Sequence, residues 1–386
     1  MSPRPITIFL SAAEASGDEH AARLIRSLRA RLNHVRFVGA AGEQMAAGGC
    51  EVLADLTAQA SMLGGPVLRL GYYLRQLRRL KKAMRDIRPD VFVPVDSPAL
   101  NWHLAAQAKG IGCPVMYFIS PQVWAWAPWR VKKLSRLTDR VACILPFEQP
   151  YLCDRGVRAT FVGHPLMDTL PPPGTPSDLI EAYADGTWRV ALLAGSRAGE
   201  IAHHAPALVG VAKEIQRRWP RATCTFAAKT KEAAQAIALA CDKAGAGNVP
   251  VLVGHTHEVL AGAHVAIVTS GTVTLEVAYF GVPMVIFYRT SRLLGAMHRL
   301  LGRWAVPTRF LSLVNILAGR ALVPELMPWH GNVRKVTGAA MEMMEDLGRL
   351  CQMRQQLLEL VGPLRAASGT AADNAAQLVL ELVHPR

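Results

Sequence analysis

A carboxylate follows a short apolar run in the sequence VDSPALN, residues 95–101. Asp96 ends that run, and Pro98 would stop a strand there. A carboxylate in this position can act as a general base that removes the proton of a substrate hydroxyl. An aspartate in a turn can equally accept hydrogen bonds from its own backbone, so the motif alone leaves both interpretations open.

The first apolar run ends in another polar motif, EASGD, residues 14–18. Ser16, Gly17 and Asp18 are residue types that cap helices, glycine lets a backbone approach a ligand, and a helix N-terminus attracts anions. We therefore predict that they cap a helix after the first strand. Anion binding there stays open, because capped turns of this kind are common in doubly wound folds.

The motif GSRAGEI, residues 195–201, combines small residues with one strong cation. Ser196 and Arg197 follow a glycine, and a guanidinium can bind diphosphate oxygens in a bidentate manner. The Gly-Lys-Ser/Thr pattern of a Walker loop is absent. The alternative is a surface arginine that pairs with Glu200.

A further candidate for phosphate binding is TSGTVTLE, residues 269–276. Ser270, Gly271 and Thr272 precede a helical pattern, and backbone N–H groups at a helix start can bind phosphate. Glu276 lies one to two turns into that helix, where acidic residues often bind ribose hydroxyls. A helix capped by serine or threonine, with a solvated glutamate, is the alternative.

Two pairs of histidines raise the question of a metal site. Neither pair has a third ligand at a spacing typical of metal motifs, so we expect structural or surface histidines and no metal. The histidines concerned are His203, His204, His255 and His257.

Short apolar runs alternate with stretches of helical periodicity, such as residues 18–32. Most runs are continuously apolar, which is typical of strands buried on both faces of a parallel sheet. The pattern predicts βαβ units. The predicted strands are ITIFL, VRFVGA, DVFVPVD, VMYFIS, RVACIL, ATFVGH, RVALLAG, TCTFAAK, VPVLVG, VAIVTSG and VPMVIFY.

A proline-rich stretch, LPPPGTPSD, interrupts this alternation at residues 170–178 and suits a semi-rigid linker. A chain of 386 residues is also too long for one ordinary core. We predict an α/β fold of two Rossmann-like domains, over residues 1–170 and 185–365, with a C-terminal helix over residues 366–386. Ligands of such domains bind at the carboxyl ends of the strands.

The composition indicates a globular protein with anionic partners. The chain is 51% hydrophobic and 19% charged, with a formal net charge of +14. That charge favours phosphates, anionic lipid surfaces or nucleic acid, but no nucleic-acid-binding motif accompanies it. The seven cysteines are scattered without a CxxC pair, so we expect reduced thiols in a cytosolic protein.

Two segments were candidates for membrane contact. Residues 264–288 are mostly apolar but contain Glu276 and several Ser and Thr, which favours strand, turn, helix and strand over a spanning helix. Residues 67–85 mix apolar residues with many cations. They predict either a helix in the membrane interface or a domain helix with a solvated basic face.

Three tryptophans occur within six residues in ISPQVWAWAPWRVKKL, residues 119–134. Trp124 and Trp126 would share one face of an extended segment. For these two residues, structural packing in a wall of the first domain is favoured over direct contact with lipid. Trp129 and the cations that follow it are expected to face solvent or a membrane.

Taken in order, these motifs resemble the lipid-A-disaccharide synthase family of inverting GT-B glycosyltransferases. Each is weak alone, but together they are specific and span nearly the whole chain. The matching segments are EASGD, VDSP with Asn101, SPQVWAW, ILPFE, FVGHPL, GSR with Glu200 and Ile201, SGTVTLE and NILAGRALVPEL.

The resemblance implies two Rossmann-like domains that face a cleft, and a defined reaction. A UDP-linked diacylated glucosamine would transfer its sugar to the 6-hydroxyl of a diacylated glucosamine 1-phosphate, giving a β-1,6-linked disaccharide lipid and UDP. Neither a metal nor another cofactor is expected for this chemistry.

The resemblance also implies residue roles. Asp96 would be the base, and Arg197 would hold the diphosphate and offset charge on the leaving UDP. The other donor-side residues would be Ser196, Ser270, Gly271, Thr272, Glu276, Asn315 and Glu325. The acceptor-side residues would be Glu14, Ser16, Gly17, Asp18 and Asn101.

The partners implied are anionic glycolipids at the cytoplasmic face of the inner membrane, which suits a basic peripheral protein. A homodimer is possible, because family members can exchange C-terminal segments.

Some positions depart from the family's usual residues, so two alternatives stay open. One is another GT-B enzyme, either a UDP-sugar transferase or an epimerase, and the other is a non-catalytic lipid-binding relative. The departing positions are Ala13, Ala99, Ala127, Ala194 and Val314.

Overall fold

The computed structural model describes residues 4–56, 66–125, 127–174, 178–289 and 308–383. The chain divides into two compact α/β units. Unit 1 comprises Met1–Asp168 and Leu364–Arg386, and unit 2 comprises Thr169–Pro363. The chain therefore leaves unit 1 beside the proline-rich stretch and returns to it for its last helix.

Unit 1 is built on parallel strands. They are β1 (Ile6–Ser11), β2 (Val35–Ala40), β3 (Cys50–Ala54), β4 (Val91–Pro94), β5 (Met116–Phe118), β6 (Arg140–Cys143) and β7 (Ala159–Phe161). The order β3-β2-β1-β4 continues into β5-β6-β7 through two isolated bridges, Phe92 to Val115 and Val95 to Phe118. The carboxyl ends of β1, β4, β5 and β6 consequently meet at one edge.

Helices connect the strands of unit 1. They are α1 (Ala15–Arg29), α2 (Glu43–Ala47), α3 (Pro66–Ile87), α4 (Pro98–Gly110), α5 (Val131–Leu137) and α6 (Glu148–Cys153). The buried side chains of α1 recur at helical spacing, and they pack on the inner residues of β1 and β4. This packing fixes where the β1–α1 turn lies relative to the end of β4.

Unit 2 contains one parallel sheet in the order β10-β9-β8-β11-β12-β13, the doubly wound arrangement of dinucleotide-binding domains. Its strands are β8 (Arg189–Leu193), β9 (Thr223–Ala228), β10 (Val251–Val253), β11 (Val265–Thr269), β12 (Met284–Arg289) and β13 (Glu325–Trp329). Its described helices are α7 (Leu179–Asp185), α8 (Ala198–Arg218), α9 (Lys231–Lys243), α10 (Thr256–Gly262), α11 (Val273–Tyr279), α12 (Leu313–Ala318), α13 (Val333–Met344) and α14 (Leu347–Val361).

The last helix, α15 (Ala371–Val383), packs on α1 within the same chain. Ala371, Ala375, Ala376 and Val379 are buried in the hydrophobic core that α1 also fills. The carboxylate of Asp373 accepts a hydrogen bond from Ser27 Oγ (2.7 Å) and pairs with Arg31 (2.9 Å). Apolar burial and an ion pair thus hold the C-terminal helix on unit 1.

All the strands predicted from apolar runs are confirmed, and two further strands were missed. β3 lies at a sheet edge and exposes Glu51 and Val52, so it lacks a continuous apolar run. β13, at the other sheet's edge, contains Pro328, a residue that argues against a strand in sequence analysis. Residues 264–288 form β11, α11 and β12 as predicted, and no described helix is long and apolar enough to cross a membrane.

The prediction that Ser16, Gly17 and Asp18 cap α1 is wrong. The helix begins at Ala15, with Glu14 as an N-cap that makes no side-chain hydrogen bond, so the three residues lie inside the first turn. The Asp18 carboxylate instead accepts from three backbone N–H groups at the start of α2. Those unpaired amides of a neighbouring helix outcompete a local cap for the buried carboxylate.

The described part of α3 is a domain helix. Leu77, Leu80 and Met84 are buried on one side, whereas Arg78 and Arg85 are exposed on the other. The side chains of residues 67–70 lie outside the described residues. From Gly71 onward the structure thus shows an amphipathic helix packed on unit 1, with its basic face solvated.

Candidate functional site

Asp96 follows β4 at the carboxyl edge of unit 1, and neighbouring groups hold its backbone. Its N–H donates to the Phe118 carbonyl (3.0 Å). Its own carbonyl accepts from the Tyr117 hydroxyl (2.7 Å) and from Asn101 Nδ2 (2.6 Å). The backbone bonds leave the Asp96 side chain as the part of the residue available for chemistry.

The pKa of the Asp96 carboxyl is raised, chiefly by burial. The backbone N–H of Ser97 lowers that pKa and the negative charge of Glu14 raises it. A carboxylate with a raised pKa is a stronger base than an ordinary aspartate. Since Glu14 affects Asp96 electrostatically, the ends of β1 and β4 bring these two predicted residues together.

Left-handed backbone conformations cluster around this edge. Asp96 (φ 47°) and Ser97 (φ 45°) follow β4, and Ile119 (φ 62°) follows β5. Ala127 (φ 56°) lies eight residues after Ile119 in the same connection. Non-glycine residues adopt such angles at a cost, and they concentrate at functional sites. Among the described non-glycine residues, only Arg88 shares this conformation elsewhere.

The other predicted acceptor-side residues divide by exposure. Glu14 and Ser16 are exposed, whereas Gly17 and Asp18 are buried. A Cβ on Gly17 would lie 3.7 Å from the Val95 carbonyl, so this glycine packs on the end of β4. Asn101 is fully buried, and its amide donates to the backbone of Val95 and Asp96. It therefore positions the segment that carries Asp96.

Arg197 lies at the start of α8 in unit 2 and is 77% exposed. Its guanidinium pairs with Glu200 (3.0 Å), and that carboxylate also accepts from the N–H groups of Ser196 and Arg197. Gly195 (φ 101°) makes room for this arrangement, because a Cβ there would come within 2.7 Å of Glu200 Oε2. The carboxylate of Glu200 thus binds both the N–H groups at the start of α8 and the guanidinium of Arg197.

The SGT motif lies between β11 and α11. Gly271 and Thr272 are exposed, and Ser270 is half-buried. Thr272 makes no side-chain cap on α11, so the cap expected in the alternative interpretation is not formed by threonine. Glu276 lies in the first turn of this helix, 3.3 Å from His257 Nε2. Burial raises the pKa of Glu276, and His257 lowers it.

Asn315 and Glu325 belong to one buried network. Asn315 is fully buried, accepts from the N–H groups of Leu322 and Val323, and donates to the Val323 carbonyl and to Glu325. Glu325 also accepts from the backbone N–H and hydroxyl of Ser312. In this structure Asn315 and Glu325, which were predicted to bind the UDP-sugar, hold the start of α12 against β13.

Three of the four histidines have protein partners in the structure, His257 through Glu276 as described above. His204 is buried and its Nε2 accepts from the Arg289 N–H (3.0 Å), while His255 pairs with Glu258 (2.9 Å). Across the described residues, no three His, Cys, Asp or Glu side chains are grouped in a way that could hold a metal ion.

Sequence reasoning assigned no chemistry to Glu148, which the structure places in a buried site beside β6. Its carboxylate accepts from Trp124 Nε1 (2.9 Å). The indole is buried, as expected, whereas Trp126 lies outside the described residues. Trp129 is 60% exposed, which agrees with its expected position. The one sequence signal for Glu148 was its place at the end of the ILPFE motif, after a buried strand.

The family model described as lipid-A-disaccharide synthetase matches residues 8–378. The chain belongs to this family. Lipid-A-disaccharide synthase of Myxococcus xanthus is 36% identical over 385 residues, covering 99% of this chain and 98% of the relative. The enzyme of Syntrophus aciditrophicus is 34% identical over 388 residues, with 97% of each chain covered. The family inferred from motifs is thereby confirmed.

Solved structures with low sequence identity identify the fold as GT-B. The Staphylococcus aureus MnaA–UDP structure has a TM-score of 0.60 at 11% identity, covering 98% of this chain and 95% of that one. The calicheamicin glycosyltransferase CalG4 has a TM-score of 0.57 at 18% identity, covering 99% and 100%. As a member of the lipid-A-disaccharide synthetase family, the chain is a glycosyltransferase.

Proposed function

We propose that this chain performs its family's reaction with Asp96 as the base. The reaction transfers 2,3-diacylglucosamine from its UDP derivative to the 6-hydroxyl of 2,3-diacylglucosamine 1-phosphate. The products are the β-1,6-linked disaccharide 1-phosphate and UDP. The observation that carries the assignment is the position of Asp96 at the carboxyl edge of β4, where Phe118, Tyr117 and Asn101 hold its backbone and leave its carboxylate free of those bonds. Burial also raises the pKa of that carboxyl.

The base acts on the acceptor. The ionised carboxylate of Asp96 takes the proton of the 6-hydroxyl as that oxygen attacks the anomeric carbon of the donor. The bond from this carbon to the diphosphate oxygen breaks, and the configuration inverts. Glu14 and Ser16 are exposed at the end of β1 and contact the acceptor sugar. Asn101, Gly17 and Asp18 position the backbone beneath them.

The leaving group is bound by unit 2. Arg197 exchanges its partner Glu200 for the diphosphate, and offsets the charge that develops on UDP. Ser196, Ser270, Gly271 and Thr272 contact the phosphates, and Glu276 the ribose. Asn315 and Glu325 support the nucleoside site by holding its backbone in place, because their hydrogen bonds are directed to other residues of unit 2. No metal takes part.

The substrates determine the location that we propose. Both are anionic lipids, so the protein works at the cytoplasmic face of the inner membrane as a peripheral protein. Its charge of +14 and the exposed Trp129, next to Arg130 and Lys132, support this placement. A homodimer is compatible with a terminal helix whose contacts with α1 could also form between two chains.

The test measures UDP release from UDP-2,3-diacylglucosamine, with and without the acceptor. We expect acceptor-dependent release that Asp96→Asn and Arg197→Ala each lower by about two orders of magnitude or more. Asp86→Asn, on the exposed side of α3, is the matched control and should retain activity. Release without acceptor would indicate an epimerase-like or hydrolytic enzyme, and no release from folded protein would contradict catalysis.

A further inference from the structure

Two motifs that have no assigned chemistry meet in the interior of unit 1. Trp124 belongs to SPQVWAW, after β5, and Glu148 ends ILPFE, after β6. The indole N–H donates to Glu148 Oε1 (2.9 Å), and the other carboxylate oxygen accepts from the N–H groups of Ile144 (3.1 Å) and Leu145 (3.0 Å). The contact joins segments that leave adjacent strands at the edge that carries Asp96.

The burial of this carboxylate is unusual for a purely structural group. Glu148 is 1% exposed, and all three of its hydrogen-bond donors are neutral. Burial without a cationic partner raises the pKa of Glu148 to about 7, so keeping it ionised is costly. Well-packed apolar residues often serve stability as well as buried charges do, so a charge at this place suggests another role.

The segment that Glu148 holds is connected to Asp96 by short steps. Trp124 packs edge-on against Phe147 and is 5% exposed. Five residues before it, Ile119 has a left-handed backbone and donates to Ala142 on β6. The preceding residue, Phe118, accepts the Asp96 N–H. The tryptophan therefore anchors the far end of a strained segment whose near end supports the proposed base.

We propose that Glu148 and Trp124 are positioning residues for the transfer reaction. The carboxylate fixes the indole, the indole fixes residues 118–124, and Phe118 at the start of that segment holds the backbone of Asp96 in its left-handed conformation. The inference rests on the proposed function of Asp96. It predicts that loss of the Glu148–Trp124 bond moves the base relative to the acceptor hydroxyl, without affecting the donor site of unit 2.

The test compares Glu148→Gln, Trp124→Phe and the double variant by steady-state kinetics. An amide cannot accept from all three donors, and phenylalanine keeps an aromatic ring but lacks the N–H. We expect each single variant to lower kcat about 10- to 100-fold while the KM for the UDP-sugar stays unchanged. The kcat of the double variant should be no lower than that of the less active single variant, because both changes break the same interaction.

Gln149→Ala is the matched control on the same helix. Its side chain accepts from the Phe161 N–H, so the variant loosens α6 on β7 without touching Trp124. We expect wild-type kcat. An equal fall of kcat in Gln149→Ala, or unchanged kcat in folded Trp124→Phe, would overturn the proposal even if Glu148→Gln failed to fold. Wild-type protein without acceptor-dependent UDP release would instead overturn the proposed function, so the two failures are distinguishable.

Discussion

Asn315 shows at the residue scale how a predicted ligand contact can be a structural one. Its amide oxygen accepts from two backbone N–H groups, and its nitrogen donates to a carbonyl and to Glu325. Removing the side chain leaves several buried polar groups unpaired, each at about 1–3 kcal/mol. We expect Asn315→Ala to lower the free energy of unfolding by about 2–4 kcal/mol, measured by urea denaturation.

Asn332→Ala is the matched control for that experiment. Asn332 is exposed, and its side chain makes no cap on α13, so its loss should change stability by less than about 0.5 kcal/mol. Unchanged stability in Asn315→Ala, together with a raised KM for the UDP-sugar, would contradict the structural role and favour direct contact with the nucleoside.

Sequence patterns single out candidate residues whose proposed role depends on local position. Asp96 and Arg197 could be found because a carboxylate ends an apolar run and an arginine follows a glycine. Tyr117 and Glu148 could not, because their roles depend on which strands become neighbours. Tyr117 contacts the Asp96 carbonyl only because β5 pairs beside β4, and that pairing is a property of the fold.

At the element scale, apolar runs predicted the central strands and the edge strands β7 and β10, but they missed the edge strands β3 and β13 and misplaced a helix cap. Strands buried on both faces have a continuous apolar signal, whereas β3 exposes Glu51 and Val52 and β13 contains Pro328. Asp18 was predicted to cap its own helix, but it serves α2, which lies next to α1 only in the folded unit. The local sequence indicates that a carboxylate can cap a helix, but tertiary packing decides which helix it caps.

The C-terminal helix gives an element-scale prediction with a definite pH dependence. Hydrogen bonds from Ser27 and Thr370 and the nearby Arg31 hold the pKa of Asp373 well below its usual range. A depressed pKa stabilises the fold at pH values above the unfolded pKa of about 3.9, and this contribution is lost as pH falls through the lower folded value. Asp373→Asn should therefore have a lower free energy of unfolding than the wild type at pH 7. This difference should become smaller in acid, where the wild type also loses the contribution of the ionised carboxylate.

Hydrogen exchange can locate that effect on α15. At neutral pH we expect the amides of α15 to exchange faster in Asp373→Asn, while those of α8 in unit 2 remain protected. Glu359→Gln is a control in α14, where the carboxylate contacts only the neighbouring Gln355 among its described hydrogen bonds. If Asp373→Asn and the wild type had the same stability at every pH, the ionised aspartate would not anchor the helix.

At the scale of the whole molecule, the net charge and its placement make different predictions for membrane binding. A charge of +14 alone would attract anionic vesicles through any basic face. The exposed Trp129 is flanked by exposed cations at the start of α5, and an indole beside cations suits the lipid–water boundary. Arg130→Glu/Lys132→Glu and the control Arg334→Glu/Lys335→Glu change the net charge equally, in units 1 and 2 respectively.

Vesicle sedimentation separates the two predictions. Each basic residue at an anionic surface contributes about 1 kcal/mol, so charge reversal at Arg130 and Lys132 should lower the partition constant by more than about tenfold. The Arg334 and Lys335 variant should bind nearly as wild type, and neutral vesicles or about 1 M salt should weaken binding of all three proteins. Equal losses in both variants would mean that total charge, and not the face around Trp129, directs the protein to its lipid substrates.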